Sequence, residues 1–272
     1  MGQISEVEFR DAVIATKKDA KLVAAAKNER TNSPAGLYRE FTKLTVDRQR
    51  EIIVAISSDH FVAAQWKIAF PLNNFPATAM PDAVAVAGKA LFFSRDEDSL
   101  REAIRAVKIY QDSPFFKQIC GALGDMAEID GEQMAIAAEI LTSPEIYGTI
   151  RLLESGAAAD KIVNAICKTA GYTRDHDSTV SIAKFLFTRR YSPVIASICA
   201  IVENSIFLAR DPRSVKQILT GLNAGGIDAV LLNSNGNQKL ESVIQDIAWK
   251  TRDWKAIREY LESLQRQTVQ QS

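Results

Sequence analysis

Apolar residues in this chain recur at intervals of three and four, the spacing of one face of an α-helix. Leu100, Ile104 and Val107 show this spacing, and Ile136 with Ile140 shows it again. No sustained stretch has the period of two that a half-buried strand requires. The pattern predicts an all-α protein of short helices, near residues 5–28, 34–45, 46–57, 58–70, 81–93, 96–111, 114–124, 130–142, 144–154, 159–170, 177–190, 193–209, 212–222, 238–250 and 253–268.

Prolines and capping residues support these helix starts. Proline at the first helical position loses no hydrogen bond, and a preceding Ser or Asp can cap the free N–H groups. Ser5-x-x-Glu8 and Ser94-x-x-Glu97 have the pattern of capping boxes, in which the two side chains satisfy each other's backbone donors. Six prolines are expected at helix starts: Pro34, Pro81, Pro114, Pro144, Pro193 and Pro212.

A short Arg-Asp phrase occurs three times at nearly equal intervals. Its copies are Arg95–Asp96, Arg174–Asp175 and Arg252–Asp253. A shift by the first of these intervals also aligns Ser113–Pro114 with Ser192–Pro193 and Cys120 with Cys199. A fixed period over many positions indicates duplicated structural units. We therefore expect one helical-repeat domain, resembling an α-solenoid, over residues 1–272, with units of about 79 residues at 16–93, 94–172 and 173–250 and a closing helix at 251–272.

The Arg-Asp phrase has a structural and a functional interpretation. In the first, the aspartate caps a helix and the arginine pairs with a carboxylate or a helix-end carbonyl of a neighbouring unit. In the second, Arg95, Arg174 and Arg252 form a line that faces an acidic ligand. The aspartate beside each arginine already balances its charge, which favours the structural role.

Length, composition and charge narrow the classes of function. The chain has 272 residues, 47% of them apolar, and a formal net charge of zero. This composition excludes a disordered chain and argues against a general polyanion binder. The longest apolar stretch, 193–209, is interrupted by Glu203 and Asn204 and is too short to span a bilayer. The amino terminus lacks the features of a signal peptide, so a cytoplasmic protein without membrane association is expected.

A net basic region between residues 161 and 216 provides an alternative function. Basic side chains one helical turn apart can contact the phosphates of a nucleic acid, as in a nucleocapsid-like subunit, although they also suit any solvated helix face. The candidate residues are Lys184, Arg189, Arg190, Arg210, Arg213 and Lys216.

The sequence contains few residues in patterns typical of a catalytic or metal-binding site. The three cysteines lie in apolar helical stretches without a Cys-x-x-Cys pattern, and His60 and His176 are the only histidines. We expect no metal and no cofactor. Glu203, the one acid in the apolar stretch, is the candidate general acid or base if the protein is an enzyme on a helical-repeat scaffold, because a buried carboxylate has a raised pKa.

These observations favour a non-enzymatic helical-repeat protein. We expect it to bind another protein, as a scaffold, an adaptor or an assembly subunit. Nucleic-acid binding is the alternative, an enzyme is the third hypothesis, and self-association into a homo-oligomer stays open.

Overall fold

The computed structural model describes residues 3–60, 72, 74–223 and, beyond them, positions 228, 231–232, 242, 246, 255–256, 258–260, 262–263 and 266. All regular secondary structure within this described part is helical, which confirms the all-α prediction. The chain divides into two compact units, Met1–Thr142 and Ser143–Ser272. The Arg252–Asp253 copy and most of the predicted closing helix at 251–272 lie outside the described residues.

The first unit contains eight α-helices within the described residues. Its core includes a cluster of buried rings, in which the centroid of Phe92 lies 5.2 Å from that of Phe9 and 4.8 Å from that of Phe41. A single π-helical turn, Ala90–Ser94, continues α5. The helices are α1 Glu6–Thr16, α2 Ala20–Lys27, α3 Pro34–Phe41, α4 Val46–His60, α5 Met80–Lys89, α6 Glu97–Tyr110, α7 Phe116–Ile129 and α8 Gly131–Leu141.

Five α-helices of the second unit have both ends within the described residues, and the described residues between 255 and 266 are helical as well. Ile162, Ile166 and Ile198 are fully buried between its two longest helices. The helices are α9 Pro144–Arg151, α10 Ala157–Thr173, α11 His176–Thr188, α12 Ile195–Ala209 and α13 Pro212–Asn223.

Each unit contains a group of four consecutive helices with the same neighbours. In the first unit α5 packs against α6 and α7, and α8 packs against α6 and α7. In the second unit α10 packs against α11 and α12, and α13 packs against α11 and α12. The interval between Arg95 and Arg174 also separates two pairs of helix starts, which are Glu97 with His176 and Phe116 with Ile195. The two groups therefore share helix order and packing partners.

The Arg-Asp phrase forms the joint between two successive helices in both groups. Arg95 and Arg174 adopt the left-handed conformation, with φ of 54° and 53°, which ends one helix. The aspartate that follows is extended, and its carboxylate accepts a hydrogen bond of 2.8 Å from the backbone N–H of the serine three residues later. Arg210–Asp211 has the same geometry before α13, with φ of 53° and a bond of 3.0 Å from Ser214 N. The aspartates thus act as N-caps.

Three local predictions about helix ends are wrong. The single helix expected over 5–28 breaks at Lys17, which is left-handed with φ 47°, and Asp19 caps α2. The predicted box at Ser94 and Glu97 does not form, because Ser94 belongs to the π-helical turn and Asp96 caps α6 instead. Pro114 and Pro193 lie two residues before α7 and α12, in turns whose serine carbonyls accept bonds of 3.1 Å from the first helical residue.

Candidate interaction surface

An open groove of about 900 Å³ lies between α11 and α13 in the second unit, and the helical residues Arg258 and Glu262 also line it. The helices that form it end side by side, since Arg189 Nη2 donates a hydrogen bond of 3.2 Å to Asn223 Oδ1. The buried Val215 contributes to the wall, while Ser181 and Thr220 are exposed. The lining residues are Asp175, Asp177, Ser178, Ser181, Pro212, Val215, Lys216, Leu219, Thr220, Asn223, Arg258 and Glu262.

The groove carries both signs of charge. Asp175 and Asp177 lie where α11 begins, and the exposed Lys216 projects from α13. Arg258 and Glu262 form an ion pair of 2.7 Å with each other. The lining therefore combines charged and hydroxyl-bearing side chains with the apolar Pro212, Val215 and Leu219.

The structure divides the six predicted basic residues into two kinds. Lys184, Arg213 and Lys216 are exposed on helix surfaces. The guanidinium groups of the other three lie over aromatic rings within 4.1 to 5.5 Å of the centroids: Arg189 over Phe185, Arg190 over Phe187 and Tyr191, and Arg210 over Tyr172 and Phe207. Arg189 also pairs with Asp228 at 3.6 Å.

The two described copies of the repeated arginine have different surroundings. Arg95 is largely buried and forms an ion pair of 3.7 Å with Glu6 at the start of α1. Its backbone carbonyl accepts a bond of 2.9 Å from Ile4 N, and the carbonyl of Ser94 accepts one of 2.8 Å from the Gln3 amide. Arg174 is exposed. The pairing of Arg95 with a carboxylate therefore lies within the first compact unit.

In both groups of four helices a lysine on the first helix forms an ion pair with the third helix, a contact that the sequence does not predict. In the first unit Lys89 on α5 pairs with Asp125 at 3.3 Å and Glu128 at 2.8 Å on α7. In the second unit Lys168 on α10 pairs with Glu203 on α12. Burial lowers the pKa of Lys89, but the hydrogen bond and charge of Glu128 outweigh it and hold the pKa above its usual value. The two lysines are separated by the same interval as Arg95 and Arg174, which is the signal in the sequence that could have pointed to them.

The bridge to Lys168 also bears on the catalytic candidate. The Glu203 carboxylate forms an ion pair with Lys168, and the Glu203 side chain is only 16% exposed. It is therefore not presented as an acid or base in an open cleft. Beneath it, burial and then the charge of Glu203 raise the pKa values of Cys167 and Cys199 to about 12. All three cysteines are buried, Cys120 included, and none of them is part of a disulfide.

Among the described residues, no group of histidine, cysteine and acidic side chains could hold a metal ion. Searches with this chain find no matching family model, no matching curated protein and no matching solved structure. Within the same described part of the chain, every helix is too short or too polar to cross a membrane.

Proposed function

We propose that this chain is a helical-repeat protein that binds another polypeptide, as a scaffold, an adaptor or an assembly subunit. The observation that carries the proposal is the open groove between α11 and α13. A groove between two helices is a common site for a helical segment of a partner, which places one face between the walls. The exposed Ser181 and Thr220 offer hydroxyl groups along such a segment, and the charged residues can fix its register.

The same proposal treats the two groups of four helices, α5–α8 and α10–α13, as two copies of one structural repeat. Three observations support it. The groups share helix order and packing partners, they share the Arg-Asp joint, and a lysine bridges their first and third helices in both. Cys120 and Cys199, which are one repeat period apart, are both buried. Extension of the repeat to 16–93 and to 173–250, and a solenoid arrangement, remain predictions.

A photo-crosslinking experiment tests the binding role. A photoreactive benzoylphenylalanine replaces the exposed Ser181 in the groove, and an equivalent variant carries it at the exposed Lys117 on α7. Irradiation in an extract of the source cells should give a discrete polypeptide adduct with the Ser181 variant only. Mass spectrometry identifies the adduct, and the purified partner then serves for affinity measurements.

A second substitution separates binding in the groove from chance proximity. Thr220→Trp fills the groove from the α13 wall without changing a charge. It should weaken binding of the purified partner about tenfold or more, equal to ~1.4 kcal/mol. The same adducts from both crosslinker positions, or an unchanged affinity in Thr220→Trp, would contradict a partner site in the groove.

The other hypotheses have less support. For catalysis, Glu203 is held in an ion pair. For nucleic-acid binding along a whole helix face, Arg189 and Arg210 are engaged by aromatic rings and by hydrogen bonds to Asn223 Oδ1 and the Phe207 carbonyl. The cytoplasmic location remains a prediction, which imaging of a fluorescent fusion would test.

A further inference from the structure

Tyr191, in the connection between α11 and α12, is 73% exposed. This is more than any other large hydrophobic side chain in the described part of the chain. The Arg190 guanidinium lies 4.4 Å from the Tyr191 ring centroid and 4.1 Å from that of Phe187. Arg190 Nη1 also donates a hydrogen bond of 2.9 Å to the Phe187 carbonyl. The exposed ring is thus backed by a guanidinium that is itself fixed in place.

The residues beside this ring are polar and cationic. Arg189 lies over the Phe185 ring at 4.1 Å, and its charge is partly balanced by Asp228 at 3.6 Å. Asp228 also accepts a hydrogen bond of 2.8 Å from Ser192 Oγ. Lys184, on the last turns of α11, is exposed. Basic side chains therefore lie on the last turns of α11 and in the connection that carries the ring, and the Asp228 carboxylate beside Arg189 and Ser192 is already paired.

We propose that Tyr191 and Arg190 form a stacking site for a base of single-stranded nucleic acid, with Lys184 attracting the phosphates. An open aromatic face accepts any base, and the cation–π contact with the Arg190 guanidinium holds the ring in place. Cationic side chains nearby follow the sugar-phosphate backbone. The site binds single strands because a duplex keeps its base faces stacked and out of reach.

Nucleic acid suits this ring better than a protein partner does. An aromatic anchor in a protein interface is surrounded by side chains that exclude water from it. The sequence neighbours of Tyr191 are instead polar: the exposed Thr188, the half-buried Ser192 and two arginines. The site is also distinct from the groove between α11 and α13, so it does not depend on the proposed polypeptide partner.

Fluorescence anisotropy tests the stacking site. The probe is a fluorescein-labelled oligouridylate of about 12 nucleotides, within the usual range for single-strand binders. The protein should bind it at low salt, with an affinity that falls as salt rises, and should bind a labelled duplex of equal length more weakly. Tyr191→Ala should weaken binding roughly 5- to 100-fold, because one base loses its stacking partner. Tyr191→Phe, which keeps the ring, should stay within about twofold of the unsubstituted protein.

Leu152→Ala is the matched control, since Leu152 is 69% exposed in the same compact unit. It should leave the affinity for the oligouridylate unchanged. No binding at low salt, equal affinity in Tyr191→Ala, or a loss in Tyr191→Phe as large as in Tyr191→Ala would overturn the proposal. An effect of Tyr191→Ala on polypeptide binding, without oligouridylate binding, would assign the ring to a protein interface and overturn it as well.

Discussion

Replacement of Gly131 by alanine should destabilise the first unit through overpacking. Gly131 is the first residue of α8, which begins against the π-helical turn that ends α5. A Cβ atom at this position would lie 2.3 Å from Ser94 Cβ, 2.4 Å from Ser94 Oγ and 2.9 Å from Ser99 Oγ. Both serines are buried, and Ser94 Cβ is bonded directly to the backbone. Relief of the contact therefore requires a shift of α8 or of the turn, and not merely a new side-chain rotamer.

The size of the effect follows from two opposing contributions. Overpacking of a well-packed site costs about 1–3 kcal/mol, and a contact as short as 2.3 Å belongs at the upper end. Alanine is favoured over glycine by at most about 1 kcal/mol in a helix interior, and by less at the first position. The free energy of unfolding of Gly131→Ala should therefore be lower by about 2 kcal/mol.

Urea denaturation followed by circular dichroism measures this change. Gly121→Ala and Gly148→Ala are matched controls, because no atom lies within 4 Å of a Cβ at either position. They should leave stability unchanged or raise it by up to about 1 kcal/mol. Gly131→Ala in the background of Ser94→Gly should lose less than in the unsubstituted protein, since the nearest atoms are removed. Equal stabilities of Gly131→Ala and Gly121→Ala would refute the close approach of α8 to the turn.

Further expectations concern arginine and cysteine side chains. Arg95→Ala should lower the free energy of unfolding by about 1–3 kcal/mol, because it removes a largely buried ion-pair partner. Arg174 is exposed, so Arg174→Ala should lower the free energy of unfolding by less in the same denaturation assay. A larger loss of stability in Arg174→Ala than in Arg95→Ala would contradict this order. Cys167 and Cys199 should resist a thiol reagent at about pH 8 in the folded protein, and labelling as fast as in denaturant would disprove their burial. Their pKa values of about 12 exceed the ordinary 9.0, so the unfolded thiols lose protons first and stability should fall as pH rises from about 9 toward 12. Replacement of both cysteines by alanine should make that fall shallower, as denaturation at a series of pH values would show.

Helix content and the Arg-Asp joints follow from short-range patterns that the sequence displays directly. The spacing of apolar residues identifies a helix such as α6, and Asp96 and Asp175 provide the caps that start helices there. The break at Lys17 is marked only by the cap Asp19, because lysine seldom adopts the left-handed conformation and neither glycine nor proline lies at the site. Capping rules alone also do not choose between Ser94 and Asp96. The π-helical turn decides, since it carries Ser94 into the core.

The candidate sites depend on contacts between distant segments, so the sequence reveals them only in part. The groove exists because α11 and α13 lie side by side, and no local pattern in either helix shows that arrangement. The basic residues of this region are visible in the sequence, whereas their contacts with aromatic rings are visible only in the structure. Arg190 and Tyr191 are adjacent in sequence, yet only the exposure of the ring distinguishes them from a pair of core residues.

The joints that follow Ser94, Thr173 and Ala209 constrain the length of the chain as well as its composition. Only two residues separate the helical segments at each of them. One extra residue would have to displace the capping aspartate or rotate the next helix by about 100° about its axis. Such a rotation would turn buried side chains of α6, α11 or α13 toward water. Insertions and deletions should therefore be absent from these joints, even where single substitutions are accepted. Differences in length between related chains should instead lie in the longer connections before α7 and α12.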